Sequence, residues 1–152
     1  MKKTWRVYVS ILVIYLVIDV LYQAAFGLNR MSSLFEDAGI DDVMTDEPQY
    51  IWTVPIFFLV MAFVLLRVVV QPAIERGDVL SAFLNGALVG IASYGTLAAV
   101  FLWSVRDYPP AAAGFVMLEG LLFPTISSGV TAWLALRQSD TAASPDQLTT
   151  TG

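Results

Sequence analysis

The sequence predicts an all-α integral membrane protein, a bundle of four spanning helices with both termini on the cytoplasmic side. Three observations predict it. Four apolar runs recur along the 152 residues, each long enough to cross the roughly 30 Å hydrocarbon layer of a bilayer. Only 14% of residues are charged against 57% hydrophobic, and mean hydropathy is +0.71, which leaves too little polar surface for a soluble domain. The basic residues are also shared unequally between the two sides, and this asymmetry orients the chain.

The first run extends from about Trp5 to Gly27, broken mainly by Asp19 and Gln23. It is longer than the apolar stretch of a signal peptide and carries a carboxylate, so it reads as a span. The connection over 28–50 holds Glu36, Asp37, Asp41, Asp42, Asp46 and Glu47, and is expected to be an extracytoplasmic acidic loop. Phe35, Ile40 and Val43 within it allow a short amphipathic helix on the outer surface. It lacks the regular Asp-x-Asp-x-Asp-Gly spacing of a calcium loop. The second span is expected over about 51–70, with Pro55 in its first turn, where proline is tolerated, and Gln71-Pro72 closing it. The third runs over about 80–103, and Tyr108-Pro109-Pro110 closes the connection that follows. The fourth covers about 111–136 and is expected to bend at Pro124. Spans and connections to residue 137 form one domain. Residues 138–152, rich in Thr, Ser, Ala and Asp, are expected as a disordered cytoplasmic tail.

Lys2, Lys3, Arg6, Arg67, Arg76 and Arg137 fall on one side of this map, and only Arg30 and Arg106 on the other. Positive charge stays in the cytoplasm, so the expectation is a multi-pass protein of the plasma membrane with N and C termini inside. Tryptophan and tyrosine favour the interfaces. Trp5, Tyr8 and Trp133 would mark the inner boundary, and Tyr22, Tyr50, Trp52, Trp103 and Tyr108 the outer one.

Composition also excludes chemistry. There is no cysteine, hence no disulfide, thiolate or iron–sulfur centre, and no histidine, hence none of the usual imidazole ligands of haem, zinc or copper. The only lysines stand at positions 2 and 3, outside any span, which excludes an intramembrane Schiff base. No cofactor and no metal site is expected. Eight basic against 13 acidic residues argue against nucleic-acid binding.

Asp19 and Glu119 are the informative residues. A carboxylate in the hydrocarbon layer is costly and normally faces the protein interior with a partner. Each lies eight residues from the expected outer boundary, at Gly27 and Ala111, which is about 12 Å deep at helical rise. Antiparallel spans would therefore hold both in one layer. Tyr8, Tyr15, Asp19, Tyr22 and Gln23 recur on one side of the first helix, and the third span offers Tyr94, Gly95 and Thr96 at the same depth. An intramembrane polar site of Asp19, Glu119, Tyr15, Tyr22, Gln23, Tyr94 and Thr96 follows. Two like charges buried together are not both tolerated, so the pair is expected to hold a proton near neutral pH. Such a group could relay a proton, or bind a cation or an amine; equally, it could hydrogen-bond its neighbours and lock the bundle. Gly86 and Gly90, extended by Ala82, let a neighbouring helix approach closely, within one chain rather than between two.

Several segments resemble a family of small prokaryotic membrane proteins, domain-of-unknown-function family 2177. They are Pro72-Ala73-Ile74-Glu75-Arg76-Gly77, Gly86-Ala87-Leu88-Val89-Gly90, Ser93-Tyr94-Gly95-Thr96, Tyr108-Pro109, Glu119-Gly120 and Ile18-Asp19-Val20-Leu21-Tyr22. The resemblance covers most of the chain except the acidic loop and the tail. Glu119 stands where the family usually has Asp. Leu97-Ala98-Ala99-Val100-Phe101 replaces the family's Tyr-Asp-Leu-Thr-Asn, so an Asp and an Asn are missing. What the resemblance implies is a four-span fold, without an established chemistry.

Two functions stay open on these grounds. One is binding or translocation of a small solute, proton or lipid headgroup at the carboxylate layer. The other is a structural or accessory role, packing against a membrane-protein partner or a second copy without transport or catalysis. An enzyme has least support, because no nucleophile, metal cluster or phosphate loop is visible. The lipid bilayer is the one partner that composition demands.

Overall fold

A computed structural model describes residues 2–40 and 53–143, and every element among them is helical. Helix α1 (Lys2–Tyr22) passes through a wide π turn (Gln23–Gly27) into α2 (Leu28–Asp37). Helix α3 (Thr53–Val64) passes through a second π stretch (Leu65–Val70) into α4 (Gln71–Arg76). Helices α5 (Val79–Ser104) and α6 (Pro110–Ala143) complete the fold. Four stretches are long and apolar enough to cross a membrane: Thr4–Phe26, Pro55–Arg76, Val79–Ser104 and Pro110–Ser139.

Three boundaries differ from expectation. The connection expected over 28–50 begins as helix: α2 continues α1 without a break and ends at Gly39, whose left-handed φ of 67° closes a Schellman turn. The Phe35 side chain holds this extension down, buried against the Tyr108 ring at 5.6 Å. Tyr50, Trp52 and the remaining acids of that connection lie outside the described residues. The second span continues past Val70, through Pro72, to Gly77. A proline lacks the N–H and crowds the carbonyl four residues back; here that carbonyl, on Val68, lies in the π stretch, whose wider turns have no need of the missing bond. Gly77, with φ 66°, then ends the helix by the same Schellman pattern, and Asp78 caps α5 by accepting from the Ser81 amide at 3.0 Å. Finally, residues 138–143 of the expected tail are helical. The Ser139 and Thr141 hydroxyls donate to the carbonyls of Ala135 and Arg137, so they do not compete with the helix for its own amides.

Helices α5 and α6 approach most closely, and small residues on both make it possible. Gly86 and Gly90 are buried beneath α6. A methyl group added at Gly86 would lie 2.6 Å from the Pro124 carbonyl oxygen, and one at Gly90 would collide with the carbonyl oxygen of Gly120. Gly120 in turn lies under Tyr94, and Gly129 under the Phe83 ring. Pro124 explains part of this contact. Its missing N–H leaves the Gly120 carbonyl, one turn earlier, without its intrahelical donor, and that is the oxygen that abuts Gly90. Helix α1 packs against α6 and α3 through Ile11 and Tyr15, both buried, with Leu65, Val69 and Phe123 filling the centre. The outer faces of the helices show Val13, Val17, Val20, Leu84 and Leu88. These apolar side chains face outward while Tyr15, Tyr22, Tyr94, Ser127 and Ser128 are buried, the arrangement that lipid favours.

Candidate functional site

One face of α1 and its π turn presents Tyr15, Asp19 and Gln23 at steps of four, and the Gln23 amide donates to the Asp19 carboxylate at 3.5 Å. Three other elements complete a cleft around this face. Phe57 and Phe58 come from α3, Tyr94 from α5, and Glu119 and Phe123 from α6; with Asp19 and Gln23 they line an open cavity of about 560 Å³. Both carboxylates are half-buried at its wall, within electrostatic reach of each other.

The base of the cleft is aromatic and cross-braced. The hydroxyls of Tyr15 and Tyr94 share a 2.5 Å hydrogen bond between α1 and α5. The Tyr15 ring stands edge-on to Phe58 at 5.3 Å and to Phe123 at 5.6 Å, and Phe57 stands edge-on to Tyr94 at 5.6 Å. Tyr22 braces the same corner from behind: its ring meets Phe123 at 5.4 Å and its hydroxyl donates to the Phe115 carbonyl at 3.2 Å. Glu119 lies within electrostatic reach of Tyr15, Tyr22, Tyr94 and Tyr108. Tyr108, beyond the end of α5, is stacked on Phe101 at 5.4 Å. Burial there pushes its phenol above the ordinary range, and the Glu119 charge pushes the same way.

Of the residues singled out from sequence, Asp19, Gln23, Tyr94 and Glu119 line the cleft together. Tyr15 and Tyr22 support it from below and behind. Thr96 is not part of it. Two residues beyond Tyr94 is about 200° around a helix, and Thr96 is exposed on the far face with its hydroxyl on the Ala92 carbonyl. Phe57, Phe58 and Phe123 were missed, because a phenylalanine inside an apolar run carries no signal of its own. Only Phe123 had one, standing a single helical turn after Glu119. Among the described residues no three His, Cys, Asp or Glu side chains come together as a metal site would require.

Neither the curated proteins nor the solved structures include a match to this chain. A family model does match, over residues 4–136, from the first turn of α1 nearly to the end of the apolar part of α6, and so includes every residue of the cleft. That family is described as predicted membrane protein, in keeping with four helices long and apolar enough to span. The chain belongs to the predicted membrane protein family DUF2177.

Proposed function

We propose that this chain is a multi-pass protein of the plasma membrane that binds a small organic cation, of the primary or quaternary ammonium class, in the cleft between Asp19 and Glu119. One observation carries the reading: two carboxylates and the rings of Phe57, Phe58, Tyr94 and Phe123 line the same cavity. Carboxylates supply counter-charge, and aromatic faces attract a cation by about 0.5–2 kcal/mol each, more as water is excluded. Two neighbouring carboxylates in an apolar setting favour anything that adds positive charge between them. A proton does so, and so does an ammonium group, which in addition uses the aromatic walls. The volume of about 560 Å³ suits a ligand of modest size. With the basic residues inside, both termini are cytoplasmic and the cleft lies towards the outer half of the membrane.

The probes are choline, ethanolamine and the neutral carbon isostere of choline, added to the purified full-length protein in detergent and followed by calorimetry and thermal melting. Either cation should bind and raise the melting temperature, and the neutral isostere should not. Asp19→Asn and Glu119→Gln, which keep shape and hydrogen-bonding capacity, should each abolish the heat of binding. Binding should weaken as pH falls, since protons and the cation compete for the same carboxylates. Equal effects of choline and its isostere, or undiminished binding in both variants, would refute the proposal.

A second reading is that of an accessory protein that packs against a membrane partner or its own copy. The Tyr15–Tyr94 bond and the glycine contacts of α5 and α6 favour it, because they make the polar residues a fastening between helices. Specific copurification of another membrane protein, with no response to any cation, would decide for it.

A further inference from the structure

A second cleft opens at the other end of the α1–α6 seam, where the first turns of α1 lie beside the last turns of α6. It holds about 760 Å³, and its lining divides by chemistry: Arg6, Thr131 and Gln138 are polar, Val9, Ile74 and Leu134 apolar. Thr131 is 1% exposed, and its hydroxyl has no hydrogen-bond partner. A buried hydroxyl without a partner is uncommon and costly, and a ligand oxygen in the cleft would satisfy it. Arg6 is exposed, and among the described residues no carboxylate pairs with its guanidinium; the ion pair found there joins Arg106 to Asp107 at the opposite end. Ser10 and Ser139, also on the rim, already donate to the carbonyls of Arg6 and Ala135. Trp5 stands at the mouth, 65% exposed, as a side chain of the membrane interface does.

We infer that this cleft binds an anionic phospholipid. The guanidinium of Arg6 meets the headgroup phosphate, the Thr131 hydroxyl and the Gln138 amide donate to its oxygens, and an acyl chain lies on Val9, Ile74 and Leu134. Arginine presents a fork of donors that matches phosphate oxygens. Basic pockets between spanning helices are suited to anionic headgroups. The apolar wall distinguishes a lipid from free phosphate, which would leave it bare.

Native mass spectrometry of the full-length protein, loaded with phosphatidylglycerol or phosphatidylcholine of matched acyl chains, measures the preference. The parent should retain phosphatidylglycerol over phosphatidylcholine by about fivefold, the ratio that one basic residue at an anionic surface accounts for. Arg6→Gln should bring the ratio near one. Thr131→Val, of nearly the same shape, should lower retention of phosphatidylglycerol while keeping or raising the parent's melting temperature without lipid, so the inference stays testable even where Arg6→Gln folds poorly. Lys2→Gln with Lys3→Gln, and separately Asp19→Asn, should keep the preference. Inorganic phosphate should not change the melting temperature. Loss of preference in the double lysine variant would mean a diffuse basic surface instead of a site, and stabilisation by inorganic phosphate equal to that by lipid would mean a free anion; either overturns the inference, as does an Arg6→Gln protein with undiminished preference.

Discussion

Replacing Gly90 with alanine would drive one methyl group into the carbonyl oxygen of Gly120, with the Pro124 ring only 2.9 Å from the same methyl. On an open helix face the change should be favourable, since alanine is preferred to glycine in a helix by about 0.8–1.0 kcal/mol. At Gly90 the obstacle is backbone, which cannot rotate aside as a side chain does, so α5 and α6 must separate. Overpacking of this kind costs about 1–3 kcal/mol and occasionally more. The net expectation is a loss of about 1 kcal/mol, reaching about 2 at the upper end of that cost. The same substitution at Gly95 or Gly114 is the control. The nearest atom to a methyl at Gly95 is 4.0 Å away on its own helix, and nothing lies within 4 Å at Gly114, so both should be neutral or gain up to about 1 kcal/mol. Gly86→Ala should fall between, its methyl 2.6 Å from the Pro124 oxygen. Reversible unfolding of the purified protein by SDS titration in mixed micelles gives the four free energies side by side. A Gly90→Ala protein within about 0.5 kcal/mol of Gly95→Ala would refute the close approach of the two helices.

Three further outcomes are expected. Pro124→Ala would normally stabilise a helix by up to about 3 kcal/mol; here it restores the donor for the Gly120 carbonyl and draws that oxygen away from Gly90, so SDS unfolding should show less than half of that gain. Tyr15→Phe and Tyr94→Phe should each destabilise, and the double variant should cost less than their sum, with a coupling of about 0.5–1.5 kcal/mol in a double-mutant cycle; strict additivity would mean that the two hydroxyls do not interact. Because the chain has no cysteine, single cysteines report topology directly: in intact cells an impermeant maleimide should label Ser33→Cys and not Glu75→Cys, and the reverse pattern would invert the orientation.

The four apolar helices are legible in the sequence because lipid allows no other way to satisfy a backbone over 20 residues. Their ends are less so. Pro72 reads as a stop, yet the π turns at Leu65–Val70 carry the helix through it. Residues 28–37 read as part of a connection that allowed a short amphipathic helix, and the helix there runs on directly from the first span, with Phe35 buried on Tyr108. At the candidate site, Asp19 and Glu119 stand out because charge is rare in an apolar run. Thr96 seemed equivalent to Tyr94 only because depth was counted and rotation about the helix was not; its exposed position, against Ala92, follows from that rotation. The phenylalanines of the cleft are indistinguishable in sequence from those that face lipid.

By itself, then, the sequence determined that the chain is a membrane protein of four apolar helices, and which few polar residues those helices must accommodate. The polar stripe of Tyr15, Asp19 and Gln23 and the glycines Gly86 and Gly90 mark the inward faces of α1 and α5 in the sequence, whereas that of α3, which has no polar residue after Thr53, was decided by tertiary structure alone. In a soluble protein the hydrophobic effect separates the two faces, and the pattern of apolar residues records it. In lipid, a leucine is as well placed outside as inside, so no such record is written. What selects the face is contact at short range: the carbonyl that Pro124 leaves free against Gly90, the hydroxyl of Tyr15 on that of Tyr94, and Phe123 edge-on to two tyrosines. Those contacts join residues 30 or more positions apart, and they bring Asp19 and Glu119 to the wall of one cleft.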